Sequence, residues 1–230
     1  MTRSGARVVQ LTGGSLLVTL GFFALAVAGW GGGWGSFLAN PVRRVAFVAT
    51  LLLSVIQGIV IGGISDLSPL SSGLREDRTK RWIFLPGGVL VFLIIWVPPF
   101  TDRRDLLTID ADTVRWIGLV LAFLGGMVRL WTVLVLGRRY SMLVAIQEKH
   151  DLVTNGPYRW IRHPFYSSMI VATAGWALIF RSGIGVLLTA ACVPIFVARI
   201  RAEETLLESH FGDAYAAYRR RSWRLVPLLY

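Results

Sequence analysis

The chain has 230 residues, of which 54% are hydrophobic, and its mean hydropathy is +0.60. Soluble domains average roughly 45–50% apolar residues even with glycine counted, so the composition predicts a polytopic integral membrane protein. The 24 Lys and Arg outnumber the 13 Asp and Glu, but they lie between apolar spans and not on one soluble face. This distribution does not indicate a nucleic-acid partner.

Six apolar segments predict an all-α fold with about six apolar helices, the last two forming a short hairpin. Each of the first two segments has the roughly twenty apolar residues that a helix needs to cross a bilayer core. We expect Pro98 and Pro99 to close the third segment, because proline interrupts helical hydrogen bonding. The six segments are residues 8–30, 42–64, 82–99, 114–136, 165–180 and 183–198.

The distribution of basic residues predicts the orientation of the protein in the membrane. With six crossings, 17 Lys and Arg fall on the side that holds both termini, and 5 fall on the other side. The positive-inside rule therefore predicts a multi-pass protein with both termini in the cytoplasm. Arg129 lies inside the fourth span. An arginine at this depth is a candidate functional residue, or it snorkels to the interface or pairs with a carboxylate.

Two polar segments flank the last apolar hairpin, at residues 137–166 and 199–218. A chain that enters lipid, turns and comes back returns to the same membrane face, so these segments should meet there. We expect the function at this junction. The chain accordingly divides into N-terminal transmembrane helices (1–136) and a catalytic region (137–230).

The polar segments contain several candidates for chemistry. Pro164 suits the first position of a helix, which places His163 at or just before the N-cap, facing a carboxylate or phosphate. The alternative is that this histidine only anchors the helix at the interface, together with Arg162 and Tyr166. Arg199 and the first of two adjacent glutamates, Glu203 and Glu204, are spaced i, i+4. They either hold a ligand on a shared helix face or form an ordinary solvated ion pair.

The last part of the chain predicts a C-terminal cytosolic amphipathic helix. His210, Tyr215 and Tyr218 lie there beside Arg219–Arg221, and we expect this stretch to bind anionic lipid at the interface. No metal site is expected, because three scattered histidines and one cysteine in an apolar segment do not make a zinc ligand set.

Three segments of the sequence read QEKHDLVTNGPYRWIRHPFY, then RIRAEE and FGDAYAAYRRR. Together they resemble the isoprenylcysteine carboxyl methyltransferase family. That family lies within a wider group of membrane methyltransferases that includes the phospholipid N-methyltransferases. The resemblance implies an all-helical membrane fold that binds S-adenosyl-L-methionine without a Rossmann domain. It also implies methyl transfer to a carboxylate, isoprenylcysteine-like, or to another lipophilic acceptor at the cytosolic membrane face.

The same resemblance implies the residues that surround the cofactor. These are Gln147, His150, Asp151, Leu152, Val153, Tyr158, His163, Pro164, Phe165, Tyr166 and Glu203. Arg199 would face the methyl acceptor, a lipophilic small molecule or a prenylated or lipid substrate that enters from the bilayer. A carboxylate acceptor needs no base, since it is ionised at neutral pH. An amine or thiol acceptor would need His163 or Glu204 as its base.

Two other functions stay open at this stage. Sterol reductase-like membrane enzymes, which use NADPH, resemble this family in their C-terminal region, although the paired Glu203 and Glu204 after Arg199 favour the methyltransferase. A non-catalytic membrane scaffold that keeps the fold is the second alternative. Membrane lipids are expected partners in each case.

Overall fold

The computed structural model describes residues 3–64, 84–137 and 152–227. In these ranges the chain is helical, and the only β-type pairing is two isolated bridges. The prediction of an all-α fold with six apolar helices is confirmed. The helices are α1 (Arg3–Trp30), α2 (Gly33–Leu38), α3 (Pro41–Ile64), α4 (Phe84–Arg103), α5 (Asp112–Leu136), α6 (Pro164–Ile179), α7 (Gly183–Phe211) and α8 (Asp213–Arg220).

Most of the apolar helices are long enough to cross a membrane. By length and composition, α1, α3, α5 and α7 each contain a candidate membrane span. Helix α6 is apolar but has only 16 residues. The shortness of α6 agrees with the prediction that the last hairpin begins with a short arm.

Helix α4 does not end where the sequence predicted. Pro98 and Pro99 lie inside it, and it continues to Arg103, so the prediction that the prolines close the helix is wrong. Proline removes a hydrogen-bond donor, but its fixed φ is compatible with helical geometry, and the loss here falls close to the helix end. The Thr101 hydroxyl donates to the Pro98 carbonyl at 3.0 Å and so satisfies one of the terminal acceptors.

Helix α7 is longer than the arm predicted from the apolar segment, which ended at residue 198. It runs unbroken from Gly183 to Phe211 because residues 199–211 contain neither glycine nor proline and are mostly good helix formers. At 1.5 Å per residue it reaches about 43 Å, whereas the hydrocarbon core is about 30 Å thick. A core of that thickness beginning at Gly183 would end near Glu203, so the last turns of α7, with Glu203 and Glu204, extend beyond it and Arg199 lies close to its edge.

Helices α5 and α6 pack with their backbones in close approach. A Cβ added at Gly118 would lie 2.5 Å from the backbone nitrogen of Ile179, and one added at Gly125 would lie 2.7 Å from that of Ala172. In lipid, helix association depends on such close packing through small residues, because the solvent is as apolar as the side chains. This contact fixes the start of α6 relative to α5.

A buried ion cluster joins four segments at the end of the bundle away from the start of α6. Asp102, near the end of α4, has a fully buried side chain. Arg115 of α5 binds its two carboxylate oxygens at 2.8 Å each, and Arg43 of α3 and Arg181 of the α6–α7 turn each bind at 3.3 Å. Arg115 also donates to the Ile179 carbonyl at 2.9 Å.

We expect Gly118→Ala to lower the thermal stability of the protein. The added methyl would meet the backbone of α6, which cannot move aside as a side chain can, and overpacking of this kind costs about 1–3 kcal/mol. Thermal unfolding of the purified protein in detergent measures the effect.

Gly21→Ala is the matched control, since a Cβ at Gly21 of α1 would meet nothing within 4 Å. Alanine is the better helix former, so this variant should keep or raise the unfolding temperature. Equal unfolding temperatures for the two variants would contradict the close approach of α5 and α6.

Candidate functional site

The chain enters α6 through a turn that fixes the position of His163. Gly156, at φ +57°, opens a 3₁₀ helix over Gly156–Arg159, a conformation that glycine adopts without strain. His163 then occupies the N-cap of α6 and Pro164 its first position, where the missing N–H of proline would have no partner anyway. The imidazole is only 4% exposed. We call residues 152–163 the site loop.

The last described residues, 222–227, run alongside the site loop, and we call them the C-terminal strap. The Arg162 N–H donates to the Trp223 carbonyl at 2.7 Å, and the His163 N–H donates to the Arg224 carbonyl at 3.1 Å. In the other direction, the Trp223 N–H donates to the Trp160 carbonyl at 2.8 Å. The strap therefore holds the backbone of the site histidine and of the residues just before it.

Glu204 of α7 lies beneath the site loop and the strap, with a side chain that is 6% exposed. Its carboxylate contacts Arg224 Nη2 at 2.6 Å, Arg162 Nε at 3.0 Å and His163 Nε2 at 3.3 Å. A buried carboxylate is costly to desolvate unless it is paired and hydrogen-bonded, and these three partners meet that condition. The contacts join α7, the site loop and the strap into one unit.

The adjacent residue, Glu203, lies in a more open place. The Tyr166 hydroxyl donates to Glu203 Oε2 at 3.2 Å and accepts a hydrogen bond from Arg199 Nε at 3.0 Å. His163 Nδ1 is 3.8 Å from the same Glu203 oxygen. The Glu203 side chain is 33% exposed, so a ligand can reach this carboxylate more easily than that of Glu204.

Helix α8 packs inward against the site. Tyr215 and Tyr218 are both buried, and the Tyr218 hydroxyl donates to the Tyr158 carbonyl at 2.7 Å. Burial raises the pKa of Tyr218 to about 12, so its hydroxyl stays protonated at neutral pH. Burial, and then the charge of Glu204, raise the pKa of Tyr215 as well, and its hydroxyl has no hydrogen-bond partner in the described part of the chain. The tyrosine face of α8 therefore contacts protein, and the prediction that this stretch binds anionic lipid applies only to its exposed residues.

The structure brings most of the predicted site residues to one end of the bundle. Those that contact one another there are Arg199, His163, Tyr166, Glu203 and Glu204. Those on the site loop and the first turn of α6 are Leu152, Val153, Tyr158, Pro164 and Phe165. Gln147, His150 and Asp151 lie outside the described residues. Arg129, whose role the sequence left open, lies near the site: its guanidinium carbon is 5.7 Å from the ring centre of Phe165.

Sequence reasoning missed two partners of Glu204. The sequence predicts Arg162 only as an interfacial anchor, and it indicates no role for Arg224 beyond the excess of basic residues on its membrane side. A residue that pairs across forty or more positions leaves no periodic signal, which explains the omission of Arg162. Arg224 follows an ordinary basic cluster and has no local feature that separates it from its neighbours.

Comparison with known proteins points to one family. The model of the isoprenylcysteine carboxyl methyltransferase (ICMT) family matches residues 116–209, which include the site loop and both glutamates. The chain is 29% identical over 119 residues to a probable protein-S-isoprenylcysteine O-methyltransferase of Oryza sativa subsp. indica. That match covers 50% of this chain and 62% of the rice protein, so the chain spans less than two thirds of that relative.

A fungal relative and a solved structure match over more of their length. The chain is 32% identical over 221 residues to protein-S-isoprenylcysteine O-methyltransferase of Schizosaccharomyces pombe, covering 91% of this chain and 89% of that protein. The structure of the eukaryotic intramembrane Ras methyltransferase ICMT matches with a TM-score of 0.53 and 20% identity, over 100% of this chain and 99% of that one. At this identity, the structural match shows the fold.

We expect Glu204→Gln to loosen the site loop and the strap without unfolding the bundle. Removing the charge leaves two largely buried arginines, with side chains 9% and 18% exposed, without this counter-ion. Breaking a fully buried pair costs about 3–5 kcal/mol, so the loss here should approach that range. The backbone amides of Arg162, His163 and Trp223 should then exchange hydrogen faster, while those along the α5–α6 contact keep their protection.

Glu208→Gln is the control for this experiment. Glu208 lies one turn further along α7 and pairs with Arg219 at 3.2 Å, with both side chains solvent-accessible, so its loss should cost about 0–1 kcal/mol. Unchanged exchange at the three amides in Glu204→Gln would show that this carboxylate does not hold the strap.

Proposed function

Because the chain belongs to the isoprenylcysteine carboxyl methyltransferase family, we propose that it is an S-adenosyl-L-methionine-dependent membrane methyltransferase. The acceptor is the carboxylate of an isoprenylcysteine-like or other lipophilic molecule. One observation carries the proposal: the Tyr166 hydroxyl contacts both Glu203 and Arg199. A carboxylate suited to a cationic cofactor thus lies beside a cation suited to an anionic acceptor.

The side chains at the site fit the charges of S-adenosyl-L-methionine. Glu203, with a third of its side chain exposed, would hold the α-ammonium group. The start of α6, which His163 caps, would hold the cofactor's carboxylate, because helix N-termini favour anions. The aromatic faces of Tyr158 and Tyr166 favour a sulfonium. The bound cofactor supplies an electrophilic methyl group on that sulfonium.

The residues of the chain mainly align the acceptor. Arg199 binds and orients its carboxylate, and the Tyr166 hydroxyl holds the guanidinium in place through Arg199 Nε. A carboxylate with an ordinary pKa near 4 is already ionised at neutral pH, so no residue needs to remove a proton. Correct placement of the two reactants is then the largest contribution that the protein can make.

We assign Glu204 a positioning role in place of the role as a base that the sequence left open. Its oxygens are occupied by Arg162, Arg224 and His163, and its side chain is almost completely buried. If the acceptor were an amine or a thiol, His163 would remain the candidate base.

The location of the site lets both the cofactor and the acceptor reach it. The excess of basic residues on the side that holds the site supports a cytoplasmic orientation, where a water-soluble cofactor can reach Glu203. The last turns of α7 leave the membrane at this face, so a lipophilic acceptor can approach Arg199 sideways from the bilayer.

A binding and transfer experiment tests the function. S-adenosylhomocysteine should raise the unfolding temperature of the purified protein, whereas NADPH should leave it unchanged. With methyl-labelled S-adenosyl-L-methionine and N-acetyl-S-farnesylcysteine, the label should appear in a base-labile methyl ester. Stabilisation by NADPH and not by S-adenosylhomocysteine would overturn the assignment in favour of a reductase.

Substitutions of Arg199 and of Glu203, the two partners of the Tyr166 hydroxyl, should change different kinetic constants. Arg199→Ala should raise the acceptor KM or lower kcat about 10- to 100-fold, the equivalent of one hydrogen bond to a charged group, while cofactor affinity stays close to wild type. Glu203→Gln should weaken cofactor binding first. Arg201→Ala, an exposed arginine on the same helix, is the control and should change neither constant. Loss of cofactor binding in Arg199→Ala would show that its role is misassigned.

A further inference from the structure

Two tryptophans lie exposed beside the site. Trp160 in the site loop is 53% exposed and Trp223 in the strap is 42% exposed, and the backbone hydrogen bond between them keeps the two residues side by side. The ring centre of Trp160 is 6.4 Å from that of Trp131, which is itself 44% exposed and lies in α5. Because α5 is a candidate membrane span, this contact places Trp160 at the membrane boundary, where tryptophan is enriched.

Exposed arginines border the two tryptophans. The guanidinium carbon of Arg159 is 6.0 Å from the ring centre of Trp160. Arg220 ends α8, and Arg221 leads directly into the strap. All three arginines are exposed. This part of the surface therefore combines interfacial aromatic rings with positive charge, which is complementary to the headgroups of anionic lipids.

The strap connects this surface to the interior of the site. Ser222 and Leu225 of the strap are buried, and Trp223 between them is exposed. Arg224, the next residue after Trp223, extends inward to Glu204 at 2.6 Å. The outer side of the strap thus lies at the membrane boundary while its inner side holds the carboxylate that positions His163.

We propose that Trp160, Trp223, Arg159, Arg220 and Arg221 form a binding surface for anionic phospholipid headgroups. The bound lipid stabilises the strap and, through Arg224 and Glu204, the site. The lipid that occupies this surface belongs to the surrounding bilayer, because Trp160 lies next to Trp131 of α5, a candidate membrane span. The tyrosines of α8, which the sequence assigned to lipid, take no part in this surface because they are buried in the protein.

Hydrogen exchange in nanodiscs tests the proposal on the full-length protein. One set of discs contains phosphatidylcholine alone, and a second contains phosphatidylglycerol as well. The backbone amides of Arg162, His163 and Trp223 should exchange several-fold more slowly in the discs with phosphatidylglycerol. Triple substitution of Arg159, Arg220 and Arg221 by Gln should abolish this difference.

Arg103→Gln with Arg104→Gln is the matched control, since these exposed arginines lie at the other end of the bundle, and it should keep the full lipid response. No response in the wild type, or an undiminished one in the triple variant, would overturn the proposal. Equal protection by soluble glycerol phosphate would also overturn it, since the ligand would then be a free phosphate. The measurement uses no cofactor, so its outcome is independent of the methyl-transfer test.

Discussion

The buried carboxylate of Glu204 is the contact on which the geometry of the site depends. Its partners come from the loop before α6 and from the end of the chain, and it is itself carried by α7. A buried ion pair is weak evidence for net stability, because desolvation offsets much of the attraction. Its effect here is on position, since two guanidinium groups and an imidazole converge on one pair of oxygens. Methyl transfer by displacement depends on alignment, and a rigid frame supplies it.

The two adjacent glutamates lie in different surroundings because they are neighbours on a helix. Successive helical residues point about 100° apart, so one carboxylate can face the scaffold while the next faces a ligand. The difference in exposure, 6% against 33%, follows this geometry. The close contact of α5 with α6 completes the arrangement, because it fixes the helix whose first turn bears Tyr166. A site at the end of a lipid-embedded bundle can thus be as well positioned as one in a soluble core.

Local patterns in the sequence were enough to predict the six apolar helices and the approach of His163 to Glu203. The first follows from hydropathy, and the second follows because a short hairpin returns its ends to one face. Pro98 and Pro99 misled the prediction, since a helix tolerates prolines near its end. The partners Arg162, Arg224 and Asp102 could not be predicted, because each pairs with residues on other segments and distance along the chain says nothing of such pairs. The burial of Tyr215 against the protein could not be predicted either, because an amphipathic pattern does not show whether protein or lipid covers the apolar face of the helix.

The Asp102 cluster constrains how the protein can be assembled during synthesis. Its members emerge from the ribosome in the order Arg43, Asp102, Arg115 and Arg181, so Arg43 has no counter-ion from this cluster until α4, which bears Asp102, has been made. Unpaired arginine is costly in lipid, so the early helices gain from staying near the translocon until their partners arrive. Arg181 immediately precedes α7, so the cluster is completed as the helix bearing both glutamates begins to insert. The ion cluster can therefore form before the helix that bears both glutamates is complete.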